Sequence, residues 1–342
     1  MIDLATLGLP EAIAAIIAIA LNAYVLTGGA DFGGGLWDLF ASGPRRTLQR
    51  ELIAHSIGPI WEANHVWLIV VVVLLFSAFP AAFSTLGIVL HIPITIMLIG
   101  IVLRGSAFVF RSYGSRDGAA QMRWGLAFAI GSIVTPVVLG SIVGAIANGA
   151  VSEAADRVGT GTFIAVFVSP WLAAFPIVVG LFALGLFAFL AATYLTVEAS
   201  DDALRDDFRR RALIMASIVF ALAAAALVIA GSAAPRLAAR VIRVPLLQAA
   251  TVASALTAVV TLWMRRYRAA RVAAAAQVSL ILWGWLLAQY PYVIPPALSI
   301  RDTAAPAVTL KLLVVGVGIG AAVLLPSLRY LFGAFRRRTG ET

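Results

Sequence analysis

The stretch that decides the fold is Glu51–Phe79, with the sequence ELIAHSIGPIWEANHVWLIVVVVLLFSAF. It is long and apolar enough to cross a bilayer, and its second half is almost entirely hydrocarbon. At about 3.6 residues per turn, the polar side chains of its first half fall on one stripe of a helix. The stripe consists of Glu51, His55, Gly58, Glu62 and His65. Ionisable groups inside a spanning helix are costly and usually face a protein interior or a watery pathway, so we expect the chemistry of this chain here.

The composition indicates a polytopic helical membrane protein. The 342 residues are 62% hydrophobic and 12% charged, and the mean hydropathy is +0.99, which is outside the range of soluble domains. The formal net charge of +9 is explained by arginine in cytoplasmic loops, so nucleic acid is not expected as a partner. The absence of cysteine excludes disulfides and thiolate ligation of metals or iron–sulfur clusters by this chain.

Apolar segments near the ~20 residues that a bilayer requires predict about nine transmembrane helices. The predicted spans are 11–27, 52–79, 82–110, 123–147, 171–197, 211–231, 246–264, 270–290 and 309–334. We therefore expect an all-α membrane protein of two four-helix bundles plus one extra helix. The corresponding units are 1–150, 151–295, and 296–342 with a basic tail; the glycine-rich and then basic segment 28–50 is expected along the membrane surface.

The charges predict the orientation. Most of the 25 basic residues fall on one side of this layout, which the positive-inside rule assigns to the cytoplasm. The N-terminus is therefore expected outside and the C-terminus in the cytoplasm. The segment 232–245, with three arginines, is the exception.

Glu62 is the strongest candidate for a functional residue. On an unbroken helix that enters the membrane near Glu51, it lies about 16 Å deep at ~1.5 Å per residue. A carboxylate at that depth can belong to a proton relay, and the alternative is a structural partner for an arginine. Arg104 ends the apolar part of the third span and is expected either to pair with Glu62 or Asp31 or to reach the lipid headgroups.

Asp31 lies in a glycine-rich run, GGADFGGG at 28–35. The run is not a phosphate-binding loop, because no strand precedes it and no Lys-Ser/Thr follows it. Glycine at this density is expected to allow sharp turns or close approach to a neighbouring helix. Asp31 is expected at the membrane surface, either collecting protons or pairing with arginine, or as a plain surface acid.

The three histidines give a weak case for a metal or haem site. His55 and His65 would lie about 15 Å apart along a helix, so they cannot share an ion. His65 with His91 of the third span is the only plausible pair for iron or another metal. Polar side chains between membrane helices more often form hydrogen bonds across the interface, and Trp61 is expected to pack.

The residues of the second span resemble a known family. SIGPIWEANHVWLI at 56–69 is similar to the run that opens the second span of subunit II of the cytochrome bd quinol oxidases. Three further runs resemble the family in the same order, and the resemblance covers nearly the whole chain. They are residues 29–33 (GADFG), 103–111 (LRGSAFVFR) and 305–310 (APAVTL).

The resemblance implies an oxidoreductase subunit in a bacterial inner membrane. Such complexes oxidise membrane quinol and reduce oxygen to water, with haems b and d held by subunit I and none by subunit II. This chain would pack against subunit I, in contact with lipid and quinol; a quinone site in this chain and a small accessory subunit are compatible with the family. Glu62 takes the position assigned to a proton route from the cytoplasm. Its expected companions are Asp31, His55, Asn64 and His65, supported by Arg104, Trp61 and His91.

Several positions depart from the family pattern and suggest a divergent branch. The first acid of the usual Asp-Gly-Phe-Asp run is Gly28 here, the acid of the second span is Glu62 rather than Asp, and Ala63 and Val109 also differ. Two other classes stay open at this point. One is a secondary transporter with Glu62 as the coupling carboxylate, and the other is a haem-binding cytochrome that uses His65 and His91.

Overall fold

The computed structural model describes residues 8–57, 61–113 and 118–338, with the backbone alone for 57, 61–63, 112–113, 325, 328–329 and 331–338. These described residues form helices and one small hairpin. Its helices are α1 (Leu9–Leu39), α2 (Arg46–Ile57), α3 (Trp61–Ala78), α4 (Pro80–Val89), α5 (His91–Tyr113), α6 (Gly118–Ala147), α7 (Ala150–Ala155), α8 (Phe163–Phe167), α9 (Ser169–Leu172), α10 (Ala174–Glu198), α11 (Asp202–Ala233), α12 (Pro235–Ile242), α13 (Pro245–Trp263), α14 (Tyr267–Gln289) and α15 (Ala307–Arg338). Strands β1 (Tyr292–Ile294) and β2 (Leu298–Ser299) form an antiparallel pair between α14 and α15.

The polytopic helical class is confirmed. Eight helices of the described residues are long and apolar enough to cross a membrane, and the number rises to nine if α3 and α4 count as one bent span. The predicted count of nine therefore fits roughly.

Two predicted boundaries are wrong near the first spans. Residues 28–39 do not lie along the membrane surface, because they continue α1 for about three more turns. The predicted third span begins too early, because α4 is a separate helix bent by 115° from α3. Pro80, at the start of α4, has no backbone N–H with which to continue the hydrogen-bond ladder of α3.

The predicted second span is described as two helices. α2 is a polar helix of 12 residues, whereas α3 is apolar, and residues 58–60 between them lie outside the described part of the chain. The stripe from Glu51 to His65 and the 16 Å depth of Glu62 both depend on the backbone at 58–60, which lies outside the described residues, so both stay predictions.

Helix α10 is the centre of the packing. It packs against α1 and α6 on one side and against α11 and α14 on the other, and more than half of its apolar window is buried. The core around it includes Tyr24, Phe32 and Trp37 of α1, and the Trp37 indole N–H donates to the Ala188 carbonyl oxygen at 2.7 Å. The two predicted bundles therefore share a broad interface. α15 lies at the periphery against α1 and α3.

Most of the arginine-bearing segments meet at one end of the molecule. Ion pairs join the turn before α2 to α11, α11 to the α13–α14 turn, and the end of α10 to the start of α14. We call this the arginine-rich end. The exceptional segment 232–245 is at the other end, where Arg240 of α12 donates to the carbonyl oxygens of Ala288 and Tyr290 at the end of α14. This arginine therefore caps a helix, as cations favourably do at helix C-termini.

The glycine-rich run brings α1 close to α10. A Cβ built on Gly33 would collide with the backbone carbonyl of Phe187, and one on Gly29 would lie 2.8 Å from the Phe187 ring. The prediction that this run allows close helix approach is confirmed.

Gly33→Ala should destabilise the protein by about 1–3 kcal/mol, because the added methyl group meets a rigid backbone atom. The matched control is Gly318→Ala on α15, where no heavy atom lies within 4 Å of the added Cβ. Thermal unfolding in detergent, followed by size-exclusion chromatography, measures both variants. An equal melting temperature for the two would contradict the assigned α1–α10 contact.

Candidate functional site

The site is organised around a buried ion pair between α1 and α5. The Arg104 Nη2 atom lies 2.5 Å from Asp31 Oδ1 and 3.1 Å from the Asp31 carbonyl oxygen. The two side chains are only 2% and 3% exposed. Of the two outcomes expected for Arg104, pairing with Asp31 is correct and snorkelling to the headgroups is wrong. Asp31 is accordingly not a surface acid.

Helix α6 completes the surroundings of Arg104. The Arg104 Nε atom donates to Ser132 Oγ at 3.0 Å, and Ser132 in turn donates to the Phe128 carbonyl oxygen at 2.7 Å. The guanidinium carbon lies 5.0 Å from the centre of the Phe32 ring and 4.8 Å from that of Phe128. A guanidinium between two rings is well suited to burial, because it is weakly hydrated and interacts with aromatic faces.

A second ion pair follows two turns further toward the arginine-rich end. Arg111 holds Asp38 in a bidentate contact, with Nη1–Oδ2 at 2.7 Å and Nη2–Oδ1 at 3.0 Å. Arg50 of α2 lies 3.8 Å from the same carboxylate. Burial lowers the pKa of the Arg50 guanidinium, and the charge of Asp38 partly offsets this effect.

The two pairs form an ion-pair ladder. Asp31 and Asp38 are seven residues apart on α1, and Arg104 and Arg111 are seven residues apart on α5. Seven residues make about two helical turns, so both acids lie on one face of α1 and both arginines on one face of α5. The helices are therefore parallel and in register, with both arginines reaching across beside α6.

A cleft of about 220 Å³ opens beside Asp38. Its lining includes Ile53 of α2, Arg111 and Phe128. Since the Phe128 ring also covers the Arg104 guanidinium, one aromatic side chain separates the cleft from the deeper ion pair. Water that enters the cleft would therefore be separated from Arg104 by the Phe128 ring.

Helix α2 is held at the arginine-rich end by a polar network. Arg45 Nε donates to Asp207 Oδ2 at 2.8 Å, Gln49 Nε2 donates to the same oxygen at 2.9 Å, and Arg211 Nη2 donates to Gln49 Oε1 at 2.7 Å. The Asp207 hydrogen bond raises the pKa of Arg45 above its usual value. Through this network, α11 fixes the helix that covers the cleft.

The remaining polar residues of the second span fall on two helices. Asn64 of α3 is buried, and its Nδ2 atom finds no hydrogen-bond partner among the described residues. His65 is half-buried one position further, whereas His55 of α2 is exposed. The side chains of Glu62 and Trp61 lie outside the described residues, although their backbone opens α3.

His91 is not in the middle of a span, as the sequence predicted. It begins α5, where its Nδ1 atom lies 2.9 Å from the Ile88 carbonyl oxygen and its ring packs against Phe167. It is about 20 Å along the helix from Arg104, at the end opposite His65. The proposed His65–His91 pair is therefore wrong, and the described residues contain no cluster of three or more His, Cys, Asp or Glu side chains suited to a metal.

Sequence reasoning missed Asp38, Ser132 and the role of Arg111. A signal for the second ion pair was present, because two acids and two arginines repeat with the same spacing of seven residues. Ser132 carries no such signal, since a serine in an apolar helix usually bonds to its own backbone. Ser132 does so and also accepts from Arg104.

The fold and the site define a multi-spanning helical membrane protein with charges paired between α1 and α5. The family model for cytochrome bd terminal oxidase subunit II matches residues 9–335. The chain therefore belongs to that family.

Curated relatives and a solved structure agree with this assignment. The chain is similar to cytochrome bd ubiquinol oxidase subunit 2 of Bacillus subtilis, with 33% identity over 36% of each chain. It is 27% identical to cytochrome bd-I ubiquinol oxidase subunit 2 of Escherichia coli over 54% of this chain and 47% of that protein. These matches span about a third to a half of the relatives' length. A chain in the structure of bd oxidase from Geobacillus thermodenitrificans shares the fold, with a TM-score of 0.74, 20% identity, and coverage of 96% and 98% of the two chains.

Asp31→Asn should destabilise the protein by about 3–5 kcal/mol, because it leaves the buried guanidinium of Arg104 without its counter-charge. The matched control is Glu198→Gln, which breaks the half-exposed pair with Arg271 and should cost about 0–1 kcal/mol. Thermal unfolding of both variants in one detergent measures the difference. Similar losses for the two would show that the first pair is not buried.

Proposed function

We propose that this chain is the haem-free subunit II of a bd-type quinol:oxygen oxidoreductase in a bacterial inner membrane. It would pack against a subunit I that holds haems b and d, and the haems would supply the redox chemistry. Family membership over residues 9–335 is the observation that carries the proposal. The same match favours this function over a secondary transporter, and the separation of His65 from His91 argues against a haem site within this chain.

We further propose that the chain provides part of a proton-uptake route from the arginine-rich end, with that end in the cytoplasm. Oxygen reduction to water consumes protons, which must reach a site inside the membrane. Glu62 at the start of α3 is the proposed proton carrier, with Asp31, Asn64 and His65 along the interior and His55 at the exposed entrance. Ionisable groups are placed inside membrane helices mainly for such relays.

Two buried polar atoms that lack hydrogen-bond partners among the described residues support this proposal. The Oδ2 atom of Asp31 and the Nδ2 atom of Asn64 are buried without a hydrogen-bond partner among the described residues. Buried polar atoms are usually satisfied by protein or by ordered water, so these two positions suit bound water between α1 and α3. The cleft beside Asp38 supplies an opening to solvent near Arg104.

The roles within the route differ. Arg104 pairs with Asp31 and orients its carboxylate, and Ser132 fixes the guanidinium. A carboxylate locked in such a pair is a poor carrier, so Asp31 is proposed to organise water while Glu62 takes up and releases the proton. Trp61 is proposed to pack beside Glu62, and His91 is not included in the route because of its place at the opposite end.

Glu62→Gln in the assembled complex should slow quinol-driven oxygen consumption several-fold, because the amide cannot carry a proton. The loss should grow as the pH rises, since proton supply then limits turnover more strongly. The control is Glu153→Gln on α7, an exposed acid with the same charge change. Oxygen electrode measurements across pH test both variants.

Two results would count against the proposals. Turnover of Glu62→Gln equal to that of the control at every pH would remove the proton role. Purification of the chain without a haem-bearing membrane partner, together with substrate uptake by the isolated chain, would instead favour the transporter.

A further inference from the structure

An open groove lies at the arginine-rich end of the second bundle, away from the ion-pair ladder. It has a volume of about 490 Å³ and lies between Thr196 and Val197 of α10, Arg205 of α11, and the α13–α14 turn at 265–269. The walls belong to three separate parts of the chain. We call it the arginine groove.

The groove carries excess positive charge. The segment 265–271 (RRYRAAR) contains four arginines and no acid. Arg265 pairs with Asp206 at 3.1 Å, and Arg271 pairs with Glu198 at 2.9 Å. Arg266 and Arg268 are both exposed, and the described part of the chain offers neither of them an ion pair.

Arg205, which also lines the groove, already has partners within the protein. Arg205 pairs with Asp202 at 2.9 Å and donates to the Ala199 carbonyl oxygen at 2.8 Å. Its position is therefore fixed at the wall. The remaining charge of Arg266 and Arg268 is available to an anion that enters from outside.

Next to the groove, α13 presents an exposed apolar face. Leu256, Val260, Trp263 and Met264 are 60%, 52%, 73% and 54% exposed, and their spacing places them on one side of the helix. Tryptophan is enriched at the level of the headgroups in membrane proteins, and the exposed Trp263 is suited to that level. The groove thus combines unpaired arginines with an apolar helix face beside them.

We propose that the arginine groove binds the phosphate group of an anionic phospholipid whose acyl chains lie along this face of α13. A free phosphate ion would use the arginines but not the apolar helix face, whereas a phospholipid uses both. Basic pockets between helices at the cytoplasmic side are suited to anionic headgroups. This inference does not depend on the proposed proton route.

The test uses the protein in the complex in which it is extracted, after removal of endogenous lipid. Native mass spectrometry then counts phosphatidylglycerol bound from mixed micelles, with phosphatidylcholine and inorganic phosphate as the comparison probes. The wild-type protein should bind phosphatidylglycerol in preference to phosphatidylcholine. We expect R266Q/R268Q to lower the affinity for phosphatidylglycerol about 25-fold, since each arginine near a bilayer surface contributes about fivefold.

The control is R236Q/R243Q, which removes two exposed arginines from the opposite end of the molecule. It should leave the affinity unchanged. An equal loss in the control would show a general charge effect and overturn the site, and so would a wild-type protein without preference for phosphatidylglycerol, whether or not R266Q/R268Q folds. Inorganic phosphate that displaces phosphatidylglycerol at equal concentration would overturn the assignment to a lipid.

Discussion

The first bundle depends on the burial of two guanidinium–carboxylate pairs between α1 and α5. An unpaired arginine in the middle of a membrane helix is costly to insert, so Arg104 requires Asp31 close by. That requirement fixes the rotation of both helices about their axes and places α6 beside them, where Ser132 and Phe128 complete the surroundings of the guanidinium. Buried polar groups of this kind specify an arrangement more than they add stability.

The close contact of α1 with α10 extends this arrangement to the second bundle. Gly33 lies two residues after Asp31, so the same part of α1 faces α5 with its acids and α10 with its glycines. Residues of small volume are the usual means of helix approach in membranes, where no hydrophobic force drives helices together. The charged site and the glycine contact thus depend on each other.

The sequence predicted the helical class and most of the spans, because hydropathy acts locally along the chain. It offered the pairing of Arg104 with Asp31 as one of three outcomes, beside a pair with Glu62 and contact with the lipid headgroups. The extension of α1 to Leu39 and the separation of α4 from α5 were not predictable in this way. Glycine lowers helix propensity, yet residues 28–35 are helical because α10 packs against them. Asp38 was overlooked because it follows a segment that appeared to be a surface loop. The 19-residue α13 was easier to place, since it is an uninterrupted segment without charged residues.

The ladder also limits how these two helices can change in length. A one-residue insertion between Asp31 and Asp38 would rotate the second acid by about 100° around α1 and separate it from Arg111, while the first pair would stay intact. An insertion or deletion within residues 32–37 or 105–110 therefore breaks the second pair, whatever residues lie between the charges.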